Sequence, residues 1–79
     1  MKIEETFELA FQNHQKNNFE TARKLYKQIL EKQPDHFKSI FYLGTLSIQT
    51  KNFDSAKSWF EKAAKLGFND AIEVLEKNF

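Results

Sequence analysis

The chain has 79 residues, 29% of them charged for a net charge of only +1, with nine Phe, two Tyr and one Trp but no cysteine. A chain this short buries only about 60% of its unfolded surface, so it allows one domain, spanning 1–79, whose core must be efficient. The aromatic residues supply large areas worth roughly 25 cal/mol per Å² removed from water. The missing cysteines exclude a disulfide scaffold, a thiolate nucleophile and cysteine-ligated zinc. No apolar run approaches the ~20 residues of a membrane span. The first residues, Met-Lys-Ile-Glu-Glu, turn acidic where a signal peptide needs apolar side chains. Lys and Glu are interspersed rather than clustered as a nucleic-acid footprint requires. These features predict a cytoplasmic chain with no membrane and no nucleic-acid partner.

In chain order, Ile3, Phe7, Ala10 and Phe11 fall at i, i+4, i+7 and i+8, the stripe of an amphipathic first helix. The polar segment Gln15-Lys16-Asn17-Asn18 breaks it, and Asn18 is placed to cap the next helix through its side-chain oxygen. Phe19, Ala22, Tyr26, Ile29 and Leu30 continue a second stripe, which Pro34 stops, with Asp35 available as the following cap. Phe37, Ile40, Phe41, Leu43, Gly44 and Ile48 mark a third helix. Lys51-Asn52 repeats the turn, and Phe53 to Leu66 forms a fourth helix ended by Gly67, which suits a left-handed cap. A short fifth helix from Asp70 to about Asn78 carries Ala71, Ile72, Leu75 and Phe79.

Sliding the sequence by 34 residues aligns Leu9 with Leu43, Ala10 with Gly44, Asn18 with Asn52, Phe19 with Phe53, Ala22 with Ala56 and Tyr26 with Phe60. The matches fall at helical spacings and at small-residue positions. This pattern, with Pro34 closing the first unit and Ile40 and Ala63 filling the second, resembles the tetratricopeptide repeat family, whose 34-residue unit is a helix–turn–helix. The resemblance implies an all-α, α–α superhelix fold: two antiparallel helical hairpins, about 4–35 and about 36–69, plus a C-terminal closing helix at about 70–78. Ala10 or Gly44 is expected to face Ala22 or Ala56 across each hairpin, with Phe19, Tyr26, Phe53 and Phe60 in the core. Thr6 and Asn13 stand where the family usually has large residues. The run from Trp59-Phe60 through Lys62-Ala63-Ala64 to Gly67, then Asp70-Ala71, also resembles the related Sel-one-like repeats, a register that would bury Ile72, Leu75 and Phe79.

No catalytic constellation emerges. His14 and His36 are the only histidines, and neither has a second ligand on its face at i, i+4. The carboxylates, among them Glu4, Glu5, Glu31 and Glu73, alternate with lysines along helix faces, and no phosphate loop or nucleophile motif occurs. No cofactor, metal or enzymatic activity is expected.

The resemblance instead implies a protein-interaction module. Phe7, Phe11, Phe41, Thr45 and Ile48 take first-helix positions that line the family's concave groove, with His14, Gln15, Lys38 and Gln49 beside them. Whether Phe7 and Phe11 line that groove or fill the core in place of Thr6 and Asn13 stays open at this point. Chaperone-binding members of the family grip a terminal carboxylate with Lys and Asn where this chain has Phe7, Phe11 and Tyr42, so that clamp is missing. An apolar groove would take a peptide or amphipathic helix of a protein partner. The rival expectations are a homo-oligomer stacked through exposed repeat ends, or an accessory segment of a larger enzyme system such as a bacterial glycosyltransferase.

Overall fold

Each amphipathic stripe becomes a helix. The computed structural model describes residues 2–79 and contains α1 (Ile3–Gln15), α2 (Phe19–Lys32), α3 (Phe37–Gln49), α4 (Phe53–Lys65) and α5 (Asn69–Asn78), with no strand among the described residues. Packing runs between sequence neighbours, α1 on α2, α2 on α3, α3 on α4 and α4 on α5. This is the all-α superhelical arrangement of two antiparallel hairpins and a closing helix. The fourth helix ends and the fifth begins one residue earlier than the sequence pattern suggests.

Three of the four turns share one construction. The Asn17 N–H donates to His14 O at 3.0 Å and the Asn18 N–H to Asn13 O at 2.8 Å. Lys51 and Asn52 repeat this on Ile48 and Ser47, as do Gly67 and Phe68 on Ala64 and Ala63. Each pair satisfies carbonyls that a helix end leaves free, and each requires one residue in the left-handed region. Those residues are Asn17 at φ 65°, Lys51 at φ 63° and Gly67 at φ 89°. Glycine adopts this region without steric cost, asparagine tolerates it, and lysine is strained by its Cβ.

Two expected caps differ. Asn18 does not cap α2 with its side chain; its amide reaches back to Asn13 Oδ1 at 3.2 Å and braces the turn. The helix after Pro34 is capped by His36 rather than Asp35. His36 Nδ1 accepts from the Ser39 backbone N–H at 3.2 Å and lies 2.8 Å from the Ser39 hydroxyl. Burial, assisted by nearby Lys38, pulls the His36 imidazole below its usual pKa, which favours the neutral ring that the cap needs.

The core is two adjoining clusters. Ala10, Ala22, Tyr26, Leu43 and Leu46 form one, so it already spans both hairpins. Ile40, Ala56, Phe60, Ala63 and Ala71 form the other, with Leu30 and Trp59 packed against both. Small residues here admit rings: a Cβ on Gly44 would stand 2.8 Å from Cε1 of Phe60, so the glycine makes room for that ring. Several apolar positions lie outside the fully buried core. Phe19 is only half-buried, Phe53 is 54% exposed at the start of α4, and Leu9 is 40% exposed on the outer side of α1. In α5 the buried side chain is Ala71, with Val74 and Leu75 half-buried; Ile72 and Phe79 stand 38% and 45% exposed, contrary to the Sel-like register.

Candidate functional site

The packing of α1 on α2 determines where its aromatic residues go. Ala10 is fully buried toward Ala22 and Tyr26, with Thr6 and His14 one turn to either side. Phe7 and Phe11, offset around the helix from that line, therefore turn toward α3. There they meet Tyr42, at ring separations of 5.8 and 5.2 Å, while stacking on each other at 6.4 Å. Phe41 lies 5.7 Å from Tyr42 and 5.1 Å from Phe68, the residue preceding α5. Edge-to-face and offset geometries at these separations suit the ring quadrupoles.

The result is an open hollow of about 360 Å³ lined by Phe7, Phe11, Lys38, Phe41, Tyr42, Phe68 and Asp70. Its walls are rings and its two charges stand apart: Lys38 and Asp70 are both exposed, and neither forms an ion pair among the described residues. A neighbouring hollow of about 210 Å³ is lined by Phe11, His14, Gln15, Asn17, Tyr42, Thr45 and Gln49. Tyr42 and Phe11 form the wall between the two. A larger hollow of about 420 Å³, between Ile3, Thr6, Gln28, Ile29, Glu31 and Lys32, has no aromatic wall.

The two sides of this groove differ in how much they belong to the core. Phe7 packs on the first cluster and also contacts Tyr26 and His36. Phe41 packs on the second, with its ring 5.3 Å from Phe60. Phe11 is half-buried and touches only Phe7 and Tyr42 among the rings. Of the residues that the repeat frame assigns to a groove, Phe7, Phe11, Lys38 and Phe41 line the first hollow, and His14 and Thr45 line the second. Ile48 lines neither; it packs against the second core cluster, because its position turns toward α4. Phe68 and Asp70 were missed as wall residues. The available signal was an aromatic residue directly after Gly67, whose left-handed backbone redirects the chain toward α3.

His14 is neither solvated nor free. Its Nε2 lies 2.5 Å from Gln49 Oε1 and its Nδ1 3.1 Å from the Tyr26 hydroxyl. An amide oxygen can only accept, so this arrangement assigns the proton to Nε2 and makes Nδ1 the acceptor of the Tyr26 O–H. Burial, with Tyr42 close by, pushes the Tyr26 phenol far above its usual pKa, which keeps it a donor. The bridge ties α1, α2 and α3 together at the floor of the second hollow. Both histidines thus serve the framework, and the described residues contain no group of three His, Cys, Asp or Glu that could hold a metal ion. No helix is long and apolar enough to cross a membrane among them.

Comparison with known proteins agrees with this architecture. The family model described as the TT21 fifth ARM repeats domain matches residues 5–75. Tetratricopeptide repeat protein 21A of Mus musculus is 33% identical over 78 residues, covering 92% of this chain. The chain spans 6% of the length of that relative. No solved structure matches. Five antiparallel-packed helices, a repeated turn and a match over most of the chain lead to one conclusion: this chain belongs to the TT21 fifth ARM-repeat domain family and is a tetratricopeptide-like helical repeat.

Proposed function

We propose that the chain is a non-catalytic binding module that takes an apolar anchor of a partner peptide or amphipathic helix between α1 and α3. The carrying observation is Phe11, an aromatic side chain left half-exposed between two hollows with no role in either core cluster. Rings offer large contact area at low entropic cost, and Lys38 and Asp70 at the rim can orient a ligand that carries charges of both signs. The absent carboxylate clamp directs the reading toward an internal segment of a partner rather than its C-terminus.

The test is selection of binders from a random peptide library on the full chain, followed by fluorescence anisotropy. Phe11→Ala should weaken the selected peptides about tenfold, as expected of an aromatic anchor site, at an unchanged melting temperature. Phe41→Ala should lower binding and stability together, because its ring also rests on Phe60. Peptides that bind Phe11→Ala as well as the parent chain would refute the groove.

A further inference from the structure

The turn that joins the two hairpins, Gln33 to His36, lacks the left-handed residue that the other three turns share. It depends on a side chain instead. α2, α4 and α5 begin without a side-chain cap, whereas α3 begins with the His36 ring against its first turn. Nδ1 accepts the Ser39 backbone N–H at 3.2 Å and lies 2.8 Å from the Ser39 hydroxyl. To accept, Nδ1 must be unprotonated, so the neutral ring carries its hydrogen on Nε2. Ser39 is fully buried, which leaves its N–H no ready replacement partner in water. From the other hairpin, Phe7 of α1 packs on the same ring at a separation of 5.5 Å. The imidazole therefore stands between the first helix and the start of the third.

We propose that His36 is a proton-operated latch on the joint between the hairpins: neutral, it holds the first turn of α3 against α1, and protonated, it lets that turn open. Protonation places a hydrogen on Nδ1. The Ser39 hydroxyl can turn and accept it, but the Ser39 backbone N–H cannot, and is left facing a second donor. The imidazolium also sets positive charge at the positive end of the α3 macrodipole. The charged groups that act on the ring are Lys38 and Asp35 beside it and Glu4 from α1. Both carboxylates are exposed, where solvent screens them. Burial of the ring, with Lys38, outweighs them and holds the imidazole below its usual value of 6.5. The unfolded chain thus takes up the proton more readily than the folded one. The stability that the latch contributes is complete above pH 6.5 and is lost as the pH falls through the lower folded value. Phe7 leans on the ring from one side of the aromatic hollow, and Lys38 and Phe41 follow it on the other, so opening this turn loosens both walls. The latch is a property of the fold and does not rest on the binding role of the groove.

The test takes the full chain from about pH 7.5 to about pH 5, above the range in which unperturbed carboxylates titrate. The thermal midpoint, read by circular dichroism, should fall by roughly 4–8 °C, the effect of losing one cap in a domain of this size. In nuclear magnetic resonance the His36 ring should titrate below 6.5. The Ser39 amide signal should shift with the same midpoint and lose about fivefold of its protection from hydrogen exchange. His36→Asn keeps a capping oxygen that does not titrate, so its thermal midpoint should stay level across the range. A parent chain whose midpoint does not fall overturns the proposal. So does an equal fall in His36→Asn, which would assign the effect to His14 or another group. Two results in the parent chain overturn it without any variant: a His36 ring that titrates at or above 6.5, or a Ser39 amide that does not follow the ring.

Discussion

Leu9 and Leu43 hold the same place in the two hairpins, one repeat apart, with the same side chain on the same kind of helix. Leu43 is 1% exposed because α2 and α1 lie against it, joining it to Ala10, Ala22 and Tyr26; Leu9 stands 40% exposed, with no helix of the described residues covering it. The same asymmetry recurs around it. Leu46 and Ser47 are buried, while their first-unit counterparts Gln12 and Asn13 are exposed and half-buried. The first hairpin therefore presents a largely polar outer face where the second presents a docking face. Stacking order, rather than local sequence, determines which apolar residues of a repeat become core.

The sharpest way to break this comparison is to remove the two leucines in turn. Leu43→Ala should destabilise the chain by about 2–5 kcal/mol, the range for a buried leucine that leaves a cavity. Leu9→Ala should change stability by no more than about 0.5 kcal/mol. Urea unfolding followed by circular dichroism measures both, and equal losses would remove the distinction between the two ends. Next in size is the small-residue pair. Gly44→Val forces a branched side chain into the Phe60 ring and should cost about 1–3 kcal/mol by overpacking. Ala10→Gly, its counterpart, should cost only about 1 kcal/mol through helix propensity and lost contacts. The smallest effect concerns the repeated turns. Lys51→Gly relieves a left-handed lysine and should raise stability by about 0.5–1 kcal/mol, with Asn17→Gly gaining less. A shift in thermal midpoint of the wrong sign for Lys51→Gly would show that this turn is held by something other than its backbone.

The residues that encode the helices were legible because their signals are local. Apolar spacing placed all five, and the end of α2 at Pro34 and the left-handed turn at Gly67 follow from backbone chemistry alone. Caps were less legible, since Asn18, Asp35 and His36 are all competent and the choice depends on which side chain the turn aims at the helix end. His36 won because Ser39 offers it both a backbone and a hydroxyl partner. In the groove, Phe7, Phe11, Lys38 and Phe41 were identifiable from the repeat frame. Phe68 was not, because it lies outside the first-helix positions and reaches the wall only through the sharp turn before α5.

By itself the sequence determined a helical repeat: period, helix faces and the small residues that admit rings. These depend on interactions within a turn or a hairpin, which spacing records directly. Only the tertiary structure decided that Phe53 and Leu9 face outward, that Ile48 packs against the core, that His14 bridges Tyr26 and Gln49, and that Ile72 stands exposed. Each of those outcomes depends on which helix lies on the far side of a residue, and periodicity along one helix carries no information about its neighbour across the stack.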